Sequence, residues 1–306
     1  MKHNTSVMKP MRESVKLKFL VLFLLCCGLA GPAQADAIPN IKNLRLSYSV
    51  YLGGLHAMDG VVSFTRAGGS YKIDLKTGTH GLLRSIAPWD AEVVSKGRIR
   101  HAALSPTGSK VLTYWKKKPN AVNFAFSGNT IKATFTPPEG DSKNEPVPPD
   151  MKRGSLDPLS GVLQIIANTT YNNECEQTVP IYDGHRRFDL TLSNSGSEEL
   201  DGEDYSVFTG TAQRCVVDFK MLAGSRKDRE GSQFWQDGTD NNNNLGPNGF
   251  RGGKSSRPPV YIFLGKVRDD LPELPVRAET STVFGAIMVH LNKVEGGKGP
   301  TLTISE

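Results

Sequence analysis

Three stretches hold residue types that could do chemistry. In IYDGHRRFDLTL (residues 181–192) an Asp-Gly pair precedes His185, Arg186 and Arg187, and Asp189 follows. Asp183, His185 and Asp189 are acid and base candidates, and Arg186 could hold an anion. In THGLLRSIAPWDAE (residues 79–92) Leu82, Leu83, Ile86 and Trp89 form an apolar segment. That segment reads either as a cap on one end of a sheet or as an apolar lip for a lipid-like ligand. YWKKKP (residues 114–119) places three lysines after an aromatic pair, either a solvated hairpin end or a face for an anionic surface.

The first stretch is narrowed by turn geometry. A two-residue Asp183-Gly184 turn sets Tyr182 opposite His185 and Pro180 opposite Arg187. The second pair should be hydrogen-bonded in both directions, and Pro180 has no N–H. The hairpin then extends by about one rung, and residues 186–192 pair with the strand after NSGSEELDGED. Parity turns Phe188, Leu190 and Leu192 to the core and Arg187 and Asp189 to the other side. The pleat thereby splits the acid and base candidates between faces. Arg186 shares the parity of Phe188, and on the core side it would need a carboxylate or a bound anion.

No G-x-S-x-G, H-E-x-x-H, phosphate loop or dinucleotide fingerprint occurs. His56, His80, His101, His185 and His290 are scattered, and each reads as a surface or satisfied histidine. No metal ligand set, catalytic residue or cofactor is expected. In DGTDNNNNLGPNGFRGGKSS (residues 237–256) Asp240, Asn242 and Asn244 alternate as in a calcium loop. Leu245 stands where that loop needs Gly and Arg251 where it needs Glu, so an EF-hand fails and a flexible loop is expected.

The compartment is read from the N-terminus. Lys16 and Lys18 precede the apolar run Phe19 to Leu25, which fades into Ala33-Gln34-Ala35. This is the pattern of a secretory signal peptide over residues 1–35, with the mature chain starting at Asp36. The run is too short to span a bilayer, and Leu25 before Cys26 argues against lipidation. The leader carries Lys2, Lys9, Arg12, Lys16 and Lys18 against Glu13, so the chain's net +6 falls to +2 beyond it. Nucleic-acid binding would need a basic face built into the domain and is not expected. Cys175 and Cys215 remain, and an even pair in an exported chain reads as a disulfide.

The elements that must position these residues are mostly strands. Leu44, Leu46, Tyr48, Val50 and Leu52 share one parity, and Gly-rich turns separate further alternating runs near 60–66, 71–75, 91–101, 110–116, 121–126, 130–136, 260–267, 276–282 and 283–294. A long strand is expected over 204–220, with Cys215, Val217 and Phe219 facing inward. One helix is well signalled: Asp157 can cap it, Pro158 can open it, and Leu159, Val162, Leu163 and Ile166 form an apolar stripe. The expected fold is mainly β: residues 36–306 form a single, strongly curved antiparallel sheet, an open barrel or β-spiral, with one helix in its concave face.

YSVYLGGLHAMDGVVSF, TGTHGLLRSIAPWDAEVVSKGRI, DPLSGVLQII, VPIYDGHRRFDLTL and ETSTVFGAIMVHL together resemble an exported bacterial family, the domain of unknown function numbered 3108. The likeness runs from about Leu44 to Val294, and the Asn-rich segment departs from it. It implies a Gram-negative envelope protein with a β-rich, lipoprotein-carrier-like fold, and supplies no catalytic residues to carry over. The expected function is periplasmic, non-enzymatic binding or scaffolding for the cell envelope, with a lipid-like ligand or an envelope-protein segment in the concave face. The expected binding residues are Leu82, Leu83, Ile86, Trp89 and Arg186. The alternatives are an enzyme acting on envelope glycan or peptide, and a structural protein that pairs an edge strand with another envelope protein.

Overall fold

The computed structural model describes residues 41–100, 103–138, 145–172, 175–202, 204–224 and 258–304. The expected signal peptide, the Asn-rich loop and His101 lie outside these residues.

The chain enters on β1 (Asn43–Leu52), where Leu44 and Leu46 are buried between exposed Asn43 and Arg45. This is the period of two that a pleat imposes on a half-buried strand. A meander follows: β2 (Leu55–Ala67), β3 (Ser70–Thr79), the short helix α1 (Gly81–Ile86), β4 (Trp89–Arg100), β5 (Ala103–Trp115), β6 (Lys118–Ser127) and β7 (Thr130–Thr136). Helices α2 (Pro149–Lys152) and α3 (Pro158–Asn172) lead to β8 (Gln177–Tyr182), β9 (Arg187–Leu200), β10 (Gly210–Ala223), β11 (Val260–Gly265), β12 (Leu274–Thr282), β13 (Gly285–Gly296) and β14 (Leu302–Thr303).

All of these strands join one 14-stranded sheet in the order β7-β6-β5-β4-β3-β2-β1-β13-β12-β11-β10-β9-β8, with β14 added to β13. The long-range pair β1–β13 joins the two meanders antiparallel. The edges β7 and β8 share no ladder, so the sheet is not closed into a barrel. It curls enough for Leu104 on β5 and Phe263 on β11 to share one apolar core. Near the two edges the contact is made by side chains: the Phe124 ring on β6 meets Tyr182 on β8 edge-on, with centroids 6.1 Å apart.

Helix α3 lies in the concave face against β3, β4, β5 and β8. Pro158 occupies its first position, and Asp157 before it accepts from the Ser160 N–H at 3.2 Å. The same carboxylate accepts the Ser95 hydroxyl from β4 at 2.9 Å. Ser160 lies 2.8 Å from both the Ser95 and the Tyr71 hydroxyls. Asp157, Ser95 and Ser160 are fully buried. Burial pushes the Tyr71 phenol up to about 12, with its Ser160 hydrogen bond working against that. Gly161 faces β8 so closely that a Cβ would collide with Ile181 Cδ1.

The helix stripe differs from the expected one. Leu159, Leu163, Ile165 and Ala167 are buried, whereas Val162 is 44% exposed. A stripe of Leu159, Val162, Leu163 and Ile166 suits a helix covered on one side. Here Leu159, Leu163 and Ala167 join one core cluster and Ile165 joins a second with β8 to β11, so the buried arc is wider and rotated.

The β8–β9 hairpin corrects a second expectation. Its turn has four residues, Asp183 to Arg186, and Tyr182 pairs with Arg187 and Pro180 with Asp189. The ladder runs the full length of β8. Pro180 is tolerated because its carbonyl points away from β9 and accepts from Leu156 N–H at 2.8 Å, while Tyr182 N–H donates to Leu156 O at 2.9 Å. Its missing N–H therefore leaves no gap in the ladder. Residues 204–209 do not extend β10 as expected: Val207 N–H instead donates to Leu291 O on β13 at 2.9 Å.

Cys175 and Cys215 are disulfide-bonded and fully buried, and Cys215 shares a core with Val217 and Phe219 as its parity requires. Closing a loop of sequence separation 40 contributes about 4 kcal/mol in chain-entropy terms. Cys215→Ser is therefore expected to lower the melting temperature under oxidising conditions, and an unchanged melting curve would contradict this account of the bond. Asp157→Ala removes the cap of α3 and takes the acceptor from the buried Ser95 hydroxyl and the Ser160 N–H. It should cost about 2–4 kcal/mol in chemical denaturation, whereas the exposed Asp150→Ala should cost less than about 0.5.

Candidate functional site

Alternating strand directions bring the turns at 52–55, 115–118 and 282–285, the β3–β4 connection that carries α1, and the β8–β9 turn to one end of the sheet, the first four on adjoining strands. Gly53 N–H donates to Ala286 O at 2.8 Å, which locks the first and third turns together. Trp89 pairs with Trp115 across β4 and β5, which joins the second and fourth.

This end is apolar and exposed. Leu55, Leu82, Ile86, Trp115, Val283 and Phe284 each expose between 52% and 91% of their surface. Of the residues expected to form a lip, Leu82 and Ile86 are exposed, and Leu83 and Trp89 are half-buried. They lie on and beside a short helix, α1, that buries none of its residues. Arg84 anchors α1 through a two-pronged pair with Asp90, at 2.8 and 3.2 Å.

Sequence reasoning missed Leu55, Trp115, Val283 and Phe284 as members of the rim. Val283 reads as the start of a strand, because a β-branched residue is a poor turn signal. In the structure Thr282 pairs with Gly285, so Val283 and Phe284 form the two-residue turn itself. The neighbouring β5–β6 turn is also unusual. Lys116 and Lys117 both hold positive φ, 49° and 67°, as a type I′ turn demands. Asn or Gly is the cheap choice there, and each lysine costs about 1 kcal/mol or more.

Behind the rim, on the face opposite core residues Val62 and Phe64, lies a polar cluster. Asp59 on β2 accepts from His56 Nε2 at 2.8 Å through Oδ1 and from His80 Nδ1 at 2.7 Å through Oδ2. The two imidazoles stack with centroids 4.0 Å apart and planes 15° apart. Ser49 Oγ also donates to Asp59 Oδ1, at 3.3 Å, and itself accepts from Asn292 Nδ2 at 2.7 Å. The Tyr51 ring stacks on His56 at 5.1 Å and contacts Tyr205 at 4.9 Å. Burial raises the Tyr51 phenol pKa, while a hydrogen bond with Ser49 opposes the shift.

A β-bulge builds this cluster. The register of β1 on β2 slips between Val50 and Tyr51, pairing Val50 with Met58 and Tyr51 with His56. Ala57 is the extra residue, so His56 and Asp59, which simple alternation would separate, share a face. Across β3, Asp59 pairs with Gly78, whose missing side chain makes room for the Asp90 carboxylate and Arg84, and His80 follows on the same parity. Two histidines 24 positions apart thus converge on one carboxylate. Two imidazoles and a carboxylate are donors that late first-row cations accept.

The Arg186 site is resolved locally. Arg186 sits in the four-residue turn, off the strand, and Asp183 Oδ2 accepts its NH2 at 2.7 Å. The other oxygen of Asp183 accepts the N–H groups of His185 and Arg186 at 3.0 and 2.7 Å. The turn's own aspartate supplies the carboxylate that Arg186 needs. The buried guanidinium is that of Arg187, which pairs with Asp189 at 2.7 Å and donates to Met151 O at 3.1 Å. In strand order the turn that carries Arg186, between β9 and the edge strand β8, is separated from the β3–β4 connection that carries the apolar lip by β2, β1, β13, β12, β11 and β10.

No curated protein matches the chain. Among solved structures, a β-barrel-like protein of domain of unknown function DUF1849 from Brucella abortus is similar, at 8% identity and a TM-score of 0.47, over 85% of this chain and 99% of that one. A sequence-family model described as "protein of unknown function (DUF3108)" matches residues 47–292, from β1 to β13. The chain therefore belongs to the DUF3108 family.

Proposed function

We propose that this is an exported, periplasmic protein of the cell envelope that works by binding rather than by catalysis, and that its binding surface is the apolar end of the sheet. The observation that carries the reading is the set of six exposed apolar side chains on four adjoining turns. Soluble proteins rarely expose contiguous apolar surface without an occupant for it. The buried disulfide supports export, since such bonds persist in oxidising compartments.

The occupant proposed is a lipid surface carrying negative charge. Lys116, Lys117 and Lys118 are exposed beside Trp115, and an aromatic–lysine combination suits the boundary between headgroups and acyl chains. The backbone cost of Lys116 and Lys117 has a rationale if their charge is used. The concave face is a weaker candidate for the ligand, because α3 and the apolar core already occupy it.

Vesicle flotation tests the proposal. The protein should float with phosphatidylglycerol-containing vesicles and much less with neutral ones. Val283→Asp with Phe284→Asp removes two apolar contacts worth about 1.5–3 kcal/mol each when fully buried, so binding should weaken by more than about tenfold. Equal flotation of parent and double variant would sink the proposal.

A further inference from the structure

We infer that His56, Asp59 and His80 form a binding site for a divalent late first-row cation, with zinc as its representative. This inference stands apart from lipid binding, because it concerns the face behind the rim and is measured without vesicles. One donor atom from each residue already lies within 4.8 Å of the other two. The separations to the carboxylate are 2.8 Å for His56 Nε2 and 2.7 Å for His80 Nδ1. A tetrahedral zinc with bonds of about 2.0–2.1 Å holds its donor atoms about 3.3 Å apart, so the two hydrogen-bonded separations must widen and the three donors, all within 4.8 Å of one another, must rearrange around the ion.

Binding requires two local changes. Each ring now directs an N–H at the carboxylate, so each moves its proton to its other nitrogen and presents a lone pair. The stacked rings then turn about their side-chain bonds until the lone pairs converge. His56, Asp59 and His80 side chains are 31%, 47% and 49% exposed, so this motion meets solvent rather than packed core. Two imidazoles favour zinc, nickel or copper over magnesium or calcium, which take oxygen ligands. Three protein ligands leave a fourth position open to water or to a group on a partner.

The surroundings are those of a supported site. Ser49, buried on β1, orients Asp59 through its hydroxyl and is itself held by Asn292 on β13. Tyr51 backs the His56 ring. Hydrogen-bonded outer residues of this kind fix the ligands' orientation. His80 is also the residue before α1, and its carbonyl accepts Arg84 N–H at 3.1 Å. A cation gripping both His80 and β2 would fix the start of the helix that carries Leu82 and Ile86.

Calorimetric titration of untagged, chelator-treated protein with zinc chloride tests the site. The expected result is one saturable equivalent, with a rise in melting temperature that magnesium does not produce. His56→Ala with His80→Ala should weaken zinc binding by more than about 100-fold, and Ser49→Ala by about tenfold. His185→Ala, far from the triad, should bind as the parent does. Should the double variant fail to fold by circular dichroism, His80→Gln alone takes its place, since that side chain is half exposed. The inference is overturned if the parent shows no saturable zinc binding, or if removing the imidazoles leaves the affinity unchanged.

Discussion

A single buried carboxylate organises the concave side of this protein. Asp157 has no solvent exposure, and it is held by a helix N–H and by the Ser95 hydroxyl of β4. A carboxylate in that position must be hydrogen-bonded or it opposes folding by several kcal/mol. Its partners therefore fix where the first turn of α3 sits against β3 and β4. The helix in turn gives the curled sheet an interior apolar surface that the open edges β7 and β8 cannot provide by pairing. Gly161 completes the fit on the other side, where Ile181 of β8 leaves no room for a side chain.

The outer face depends on register rather than on a helix. The bulge at Ala57 brings His56 to the same face as Asp59, and the pairing of β2 with β3 carries His80 to that face. The same pairings set the turns of β1–β2 and β12–β13 side by side, so the polar triad and the apolar rim share one end of the sheet. Neither feature serves the core. Both place costly groups at the surface: apolar side chains in water at one, two stacked imidazoles on one carboxylate at the other.

Much of the fold was legible in the sequence because its causes are local. Alternation marked most strands, Asp157-Pro158 marked the helix start, and the parity of Cys215 put it beside Val217 and Phe219. Asp183-Gly184 reads as a two-residue turn because Asp-Gly is a strong hairpin signal. A four-residue turn shifts the register and leaves the proline's missing N–H harmless. Val162 belongs to the stripe of a helix covered on one side, whereas this helix is covered on more than one side. The histidine triad was invisible for a different reason. It depends on a one-residue bulge and on a pairing of β2 with β3, and no spacing in the sequence encodes either. The rim was half legible: Leu82 and Ile86 stood out as an apolar run, whereas Val283 and Phe284 hid inside what reads as continuous strand.

The central claim is that the end of the sheet bearing Trp115 and Phe284 enters a lipid surface. Tryptophan fluorescence with anionic vesicles of brominated lipid measures that contact directly, since bromine quenches only indoles within the bilayer boundary. The account predicts strong quenching in the parent that falls in Trp115→Phe and is largely lost when Trp89→Phe is added. Fluorescence unaffected by brominated vesicles, or quenching that survives the loss of both tryptophans, would contradict it.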